Sequence, residues 1–130
     1  MDRRALGEHG EELARRALGT NGYKVVATNL RVAGVELDII ATRRIGLQRR
    51  VLVVEVKTAR WPRVAETNLR ERQLARLHRA AAALPAALGL RRAHVELWLC
   101  AITVGKDAEV ELRWFGIGQS GGNPSPSGLR

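Results

Sequence analysis

Hydrophobic and polar positions change rhythm several times along the chain. Leu6, Gly10, Leu13, Ala14, Ala17 and Leu18 fall on one stripe at intervals of three and four, predicting a helix over roughly residues 3–18. Asp2 can cap its start and Gly19 can close its end. Gly7 and Gly10 lie inside it, where each costs about 1 kcal/mol relative to alanine but permits close approach of a neighbouring element or ligand. Asn21-Gly22 reads as a turn and Tyr23–Ala27 as a strand. In VELDIIA, residues 35–41, period-two alternation puts Leu37 and Ile39 on one face and Glu36, Asp38 and Ile40 on the other. RRIGLQRR, residues 43–50, reads as a hairpin tip carrying Arg43, Arg44, Arg49 and Arg50 around a glycine. Val51 to Val54 are apolar on both faces, the pattern of a central strand, yet Glu55 and Lys57 follow at once.

A second helix is predicted over 68–84. Asn68 and Glu71 have capping-box spacing, and Leu74, Leu77, Ala81 and Leu84 form its apolar stripe. Arg72, Arg76 and Arg79 occupy another face, Pro85 ends or kinks the helix, and Gly89 marks a stop. Strands at about 94–104 and 109–115 follow, joined through Gly105-Lys106-Asp107. The order is helix, three strands, helix, two strands: an α/β layer with a mixed sheet, the second helix serving as crossover. Residues 1–117 are expected to form one domain, and the Gly/Pro/Ser-rich stretch 118–130 a disordered tail.

Composition narrows the chemistry. No apolar run approaches the ~20 residues needed to span a bilayer, and the charged N-terminus lacks the apolar core of a secretory signal. With Cys100 the single cysteine, an internal disulfide and a paired-cysteine zinc site are both excluded. These features predict a cytoplasmic protein with no membrane association. The only serines are Ser120, Ser125 and Ser127, all in the tail, which disfavours a serine nucleophile. His9, His78 and His94 are scattered, without ligand spacing. Gly116-Ile117-Gly118-Gln119-Ser120-Gly121 matches the dinucleotide fingerprint formally, but no helix follows to hold a pyrophosphate.

The 22 basic residues exceed the 13 acidic ones, giving a formal charge of +9 that suits a polyanionic partner. A GC-rich genome explains why arginine replaces lysine at most basic positions; it does not explain the excess of bases over acids. Against this background two carboxylates stand out. A hairpin through residues 43–50 makes the strands carrying Asp38 and Glu55 neighbours. If the two share a face, their oxygens converge on one hard cation, Mg²⁺ or Mn²⁺, with the Val56 carbonyl as a further oxygen ligand. Lys57 lies about 6–7 Å along the same face as Glu55, where an amine can steer water or stabilise phosphate charge. Glu11 on the first helix is a candidate third carboxylate. A Glu-x-Lys pair taken alone is more commonly a solvated ion pair; the apolar run before it and Asp38 upstream favour chemistry instead.

HGEELARRAL, the stretch from Asn29 to Ala41 with ELDIIA, VVEVKTAR and RQLARLHRAAA together resemble the YraN family of small bacterial proteins. That family is similar to the PD-(D/E)xK nucleases, including Holliday-junction resolvases. The resemblance covers about residues 7–84. It implies a restriction-endonuclease-like fold, a mixed sheet of about five strands flanked by helices. Asp38, Glu55 and Lys57 stand at the motif positions, and Glu11 matches the family's helix-one glutamate. Two departures are visible. Val35 intervenes between Gly34 and the Glu-x-Asp segment, and Gln73 stands where the family tends to carry lysine, with Arg72 beside it.

The expected function is a metal-dependent nuclease acting on DNA, including branched DNA. Arg43, Arg44, Arg49, Arg50, Arg60, Arg63, Arg72, Arg76 and Arg79 would contact phosphates, which positions substrate without reading sequence. Trp61 stacks on a base or covers the core in this reading, and a two-fold cut would suit a homodimer. The alternative is a non-catalytic nucleic-acid-binding protein that keeps the fold.

Overall fold

A computed structural model describes residues 2–118. Helix α1 spans Arg3–Thr20 and is followed by β1 Lys24–Val32, β2 Val35–Ile45 and β3 Gln48–Arg60. A short 3₁₀ turn at Ala65–Asn68 leads into α2 Glu71–Ala87, then β4 Ala93–Val104 and β5 Val110–Gly116. The expected order is met. The tail lies outside the described residues from 119 onward.

The five strands form one sheet in the order β1-β2-β3-β4-β5. β1, β2 and β3 are an antiparallel meander, β3 and β4 are parallel across the α2 crossover, and β5 returns antiparallel to β4. The apolar run of β3 therefore sits at the centre, as its two-sided hydrophobicity predicts. Its odd and even positions serve different layers. Val51 and Val53 join Leu77, Ala80 and Leu84 of α2, while Leu52 and Val54 join Ala14 and Leu18 of α1. Gly10 brings α1 down onto β3: a Cβ built there would stand 2.0 Å from Thr58 Oγ1. Close approach was expected of Gly7 as well, but nothing lies within 4 Å of a Cβ at that position.

Four boundaries differ from expectation, the first being β1, which runs past the expected Ala27 to Val32. Residues 43–50 are not a loop: β2 runs to Ile45, β3 starts at Gln48, and Arg43 pairs with Arg50 and Arg44 with Arg49. Only Gly46 and Leu47 turn the chain, so the arginines are spread along paired strands. α2 begins at Glu71 with Arg70 as its N-cap and no side-chain cap, so Asn68 caps nothing there and belongs to the 3₁₀ turn. The helix also continues through Pro85 to Ala87, because the ring falls in the last turn where few downstream bonds remain to be broken.

The alternation expected for β2 breaks at Asp38. Leu37 packs in the α2 layer and Ile39 in the α1 layer, although period two would put them together. The neighbouring strand changes with it. Thr28 faces Ile39 and Leu30 faces Leu37, the registered pairs skip Asn29 and Asp38, and Asn29 has a φ of 51°. A left-handed residue inside a strand reverses which side its successors face. Both strands thus change face at the level of Asp38.

Candidate active site

Pairing of β2 with β3 ends at Ile39 and Val54. Leu37 would continue the ladder to Val56, but the Asp38 side chain takes its place: Val56 N–H donates to Asp38 Oδ2 at 2.9 Å. The N–H and C=O of one strand residue point to the same side, so the Val56 carbonyl faces the same gap between the parting strands. Glu55, one residue earlier on β3, is 5% exposed. Gln73 Nε2 donates to Glu55 Oε1 at 3.2 Å, and Lys57 Nζ lies 3.6 Å from that same oxygen. Lys57 thus sits against Glu55, which a strand spacing of two permits.

The electrostatics of the pair are unfavourable for two full charges. Burial, then the Asp38 charge, push the Glu55 carboxyl up to about 8, with Lys57 opposing. Burial also raises Asp38, against the lowering effect of the Val56 N–H and of a hydrogen bond with Glu55. A hydrogen bond between two carboxyls needs a proton between them, so the pair holds one at neutral pH. Burial raises Glu11 too, and Asp38 adds to it.

Asp38, Glu55, Val56, Lys57 and Glu11 line one cleft of about 1270 Å³, together with Arg60, Trp61 and Arg63. All five residues expected at the centre are thus gathered. Glu11 does not close on the other two carboxylates: among the described residues no group of three or more acidic, histidine or cysteine side chains is placed to hold a metal ion. The donor set that fits a hard cation is narrower, two desolvated carboxylates and one backbone carbonyl. Two carboxylates sharing a proton in a buried gap are the condition a divalent cation would relieve.

The arginines divide. Arg60 and Arg63 stand on the cleft, while Arg72 and Arg76 line a second, adjoining hollow with Arg70, Gln73 and Glu36. Arg79 lies on the exposed side of α2. Arg43, Arg44, Arg49 and Arg50 are not brought to the site; they occupy the opposite end of β3, roughly 20 Å from Glu55 at 3.3 Å per residue. Two of them are structural. Arg43 donates to the Asn21 carbonyl at 3.0 Å over the Tyr23 ring, and Arg50 donates to Glu96 at 3.0 Å. Glu36 is 4.0 Å from Arg31, a solvent-exposed ion pair. Cys100 is buried with its thiol pushed up to about 12 by burial, which leaves it inert.

Sequence reasoning missed one participant, and one buried acid away from the site. Gln73 was read as a departure, yet it holds Glu55, and Arg72 beside it faces the other hollow. Its spacing of four from Leu77 carried the signal, since that places it on the sheet-facing stripe. Glu96 was also missed: it is buried, accepting from Trp98 Nε1 at 2.9 Å and from Arg50. Period two from Trp98 and Cys100 put it on the α1 face.

The model of the uncharacterised protein family UPF0102 matches residues 10–102. The chain belongs to that family. This bears out the resemblance to the YraN proteins, which are the same family. Among UPF0102 relatives, a protein of Pelobacter propionicus is 40% identical over 80 residues, covering 58% of this chain and 56% of its own. A relative from Symbiobacterium thermophilum is 41% identical over 80 residues, covering 57% and 64%. The matched stretch thus spans somewhat over half the length of these relatives. A solved structure titled as a repair endonuclease from Pyrococcus abyssi aligns over 83% of this chain and 41% of its own, at 12% identity and a TM-score of 0.40. The mixed five-stranded sheet flanked by helices meets the layout that the resemblance implies. Among the described residues no helix is long and apolar enough to cross a membrane.

Proposed function

We propose that this UPF0102 chain is a metal-dependent nuclease that hydrolyses phosphodiester bonds in DNA. The observation that carries the reading is the buried Asp38–Glu55 carboxyl pair on the cleft wall beside Lys57. Asp38, Glu55 and the Val56 carbonyl would hold Mg²⁺ or Mn²⁺. When bound, such an ion polarises a phosphoryl oxygen and lowers the pKa of a coordinated water.

The chain's own groups do the rest. Val56 N–H fixes one Asp38 oxygen, leaving the other toward the gap, and Gln73 orients Glu55. Lys57 stands to stabilise charge on the phosphate or to position the attacking water once Glu55 turns to the cation. Glu11, on the cleft wall, is placed to hold a water or to reach the cation through one. Arg60 and Arg63 would fix the phosphate backbone beside the cut.

The test is incubation with linear, nicked and four-way-junction DNA in Mg²⁺, Mn²⁺ or EDTA. Cleavage that requires metal and falls at least ~100-fold in Asp38→Ala and Lys57→Ala supports the enzyme. Salt-sensitive retention of DNA without cleavage in any condition supports the binding protein instead, a reading favoured by the +9 charge alone.

A further inference from the structure

The cleft contains a feature that phosphate chemistry does not use. Trp61 is 57% exposed and lines the cleft that holds Glu55 and Lys57. It does not cover the core, the second of the two roles the sequence leaves open to it. Its chain neighbours do that instead, since Ala59 and Ala65 are buried. Nor does it sit on a loose tip. Trp61 N–H donates to the Val104 carbonyl at 2.9 Å, and Arg63 N–H closes a turn on the Arg60 carbonyl at 2.9 Å. Four residues on, the 3₁₀ turn begins, and its Glu66 is clamped by Arg113 of β5. An indole held out of the core on a pinned turn, flanked by Arg60 and Arg63, has the composition of a base-stacking platform beside a backbone grip.

We propose that Trp61 stacks on an unpaired nucleobase within a few nucleotides of the phosphate held at Asp38 and Glu55. This rests on the nuclease reading and narrows it to substrates with a single-stranded segment at the cut. The face of a base is available to an indole only where the duplex is open; in intact B-form it is covered by its neighbours. Position supports the placement: Trp61 lies four residues past Lys57, roughly 13 Å along the chain at 3.3 Å per residue.

Tryptophan emission reads the contact directly. Trp98 is 1% exposed and Trp114 is half-buried, so Trp61 is the most exposed of the three indoles. A thymidine homopolymer and a blunt duplex of equal length are titrated in EDTA, following both emission and the anisotropy of a label on the DNA. The homopolymer is expected to quench emission as it binds, and the duplex to bind with little quenching. Trp61→Ala should weaken homopolymer binding about 10-fold or more and leave duplex binding within about 2-fold. Trp61→Phe should recover most of the loss. Equal weakening of both DNAs by Trp61→Ala, or homopolymer binding without quenching, overturns the proposal. Absence of binding to either DNA overturns it together with the nuclease reading. Quenching and selective loss with no cleavage in Mg²⁺ sinks the nuclease reading alone and leaves the platform standing.

Discussion

Glu55 accounts for the largest electrostatic tension in the fold. The folded chain holds its proton to about pH 8, whereas the free side chain releases it near 4.5. Unfolding therefore releases a proton between those values, and stability should fall as pH rises across that window. Asp38 and Glu11 are raised as well and act in the same direction. Urea unfolding at pH 5, 6.5 and 8 without divalent metal should show the decline. Glu55→Gln, neutral throughout, should flatten it and be the more stable protein at pH 8. Added Mg²⁺ should restore stability in the parent at pH 8 and not in Glu55→Gln. Gly10 offers a steric counterpart. Gly10→Ala drives a Cβ onto Thr58 Oγ1, a buried oxygen without a hydrogen-bond partner among the described residues, and should cost about 1–3 kcal/mol. The double variant Gly10→Ala, Thr58→Ala should regain most of the loss in thermal melts, since nothing polar is forfeited with the hydroxyl.

Between elements, the tie from Arg113 on β5 to Glu66 fixes the segment that carries Trp61 and Arg63. Arg113 also contacts Glu111 and lies 5.7 Å from the Phe115 ring centroid. Arg113→Ala should raise amide exchange over residues 61–69 while β3 and β4 stay protected, with about 1 kcal/mol lost overall. The elements themselves were largely readable from periodicity, because both helices bury one stripe and β3 is apolar on both faces. What was not readable was the change of face at Asp38. It goes with the left-handed backbone of Asn29 on another strand, and alternation within VELDIIA contains no sign of it. The hairpin arginines misled for a related reason: charge in a sequence suggests a solvated loop, yet Arg43 and Arg50 are held by Asn21, Tyr23 and Glu96, all distant in sequence.

Across the molecule, the basic residues fall at two ends of the sheet, and only one end holds the cleft. DNA affinity should drop steeply with salt. Arg63→Ala and Arg76→Ala should each lower the slope of log K against log salt by about 1. Arg44→Ala and Arg49→Ala, at the far end, should leave it unchanged. A fluorescence-anisotropy salt series on one duplex decides between them, and an equal effect at both ends would mean that DNA wraps the whole sheet. The site residues were identifiable from spacing because Asp38 and Glu55 come from one hairpin. Gln73 reaches Glu55, and Trp61 the cleft, only through the crossover and the turn after β3, a longer-range arrangement that spacing alone does not show.

The antiparallel meander of residues 24–60 has a consequence for the order of assembly. Its pairings are local, whereas β4 joins β3 only after the crossover has been laid down. Both carboxylates thus belong to the part of the chain that emerges first during synthesis, when they are still hydrated and each ionises as an ordinary acid. The repulsion between them is expected to arise late, as α2 and β4 close over the strand. The fold is then opposed by its own site at the moment of completion, and Glu55→Gln should relieve that opposition chiefly by slowing unfolding.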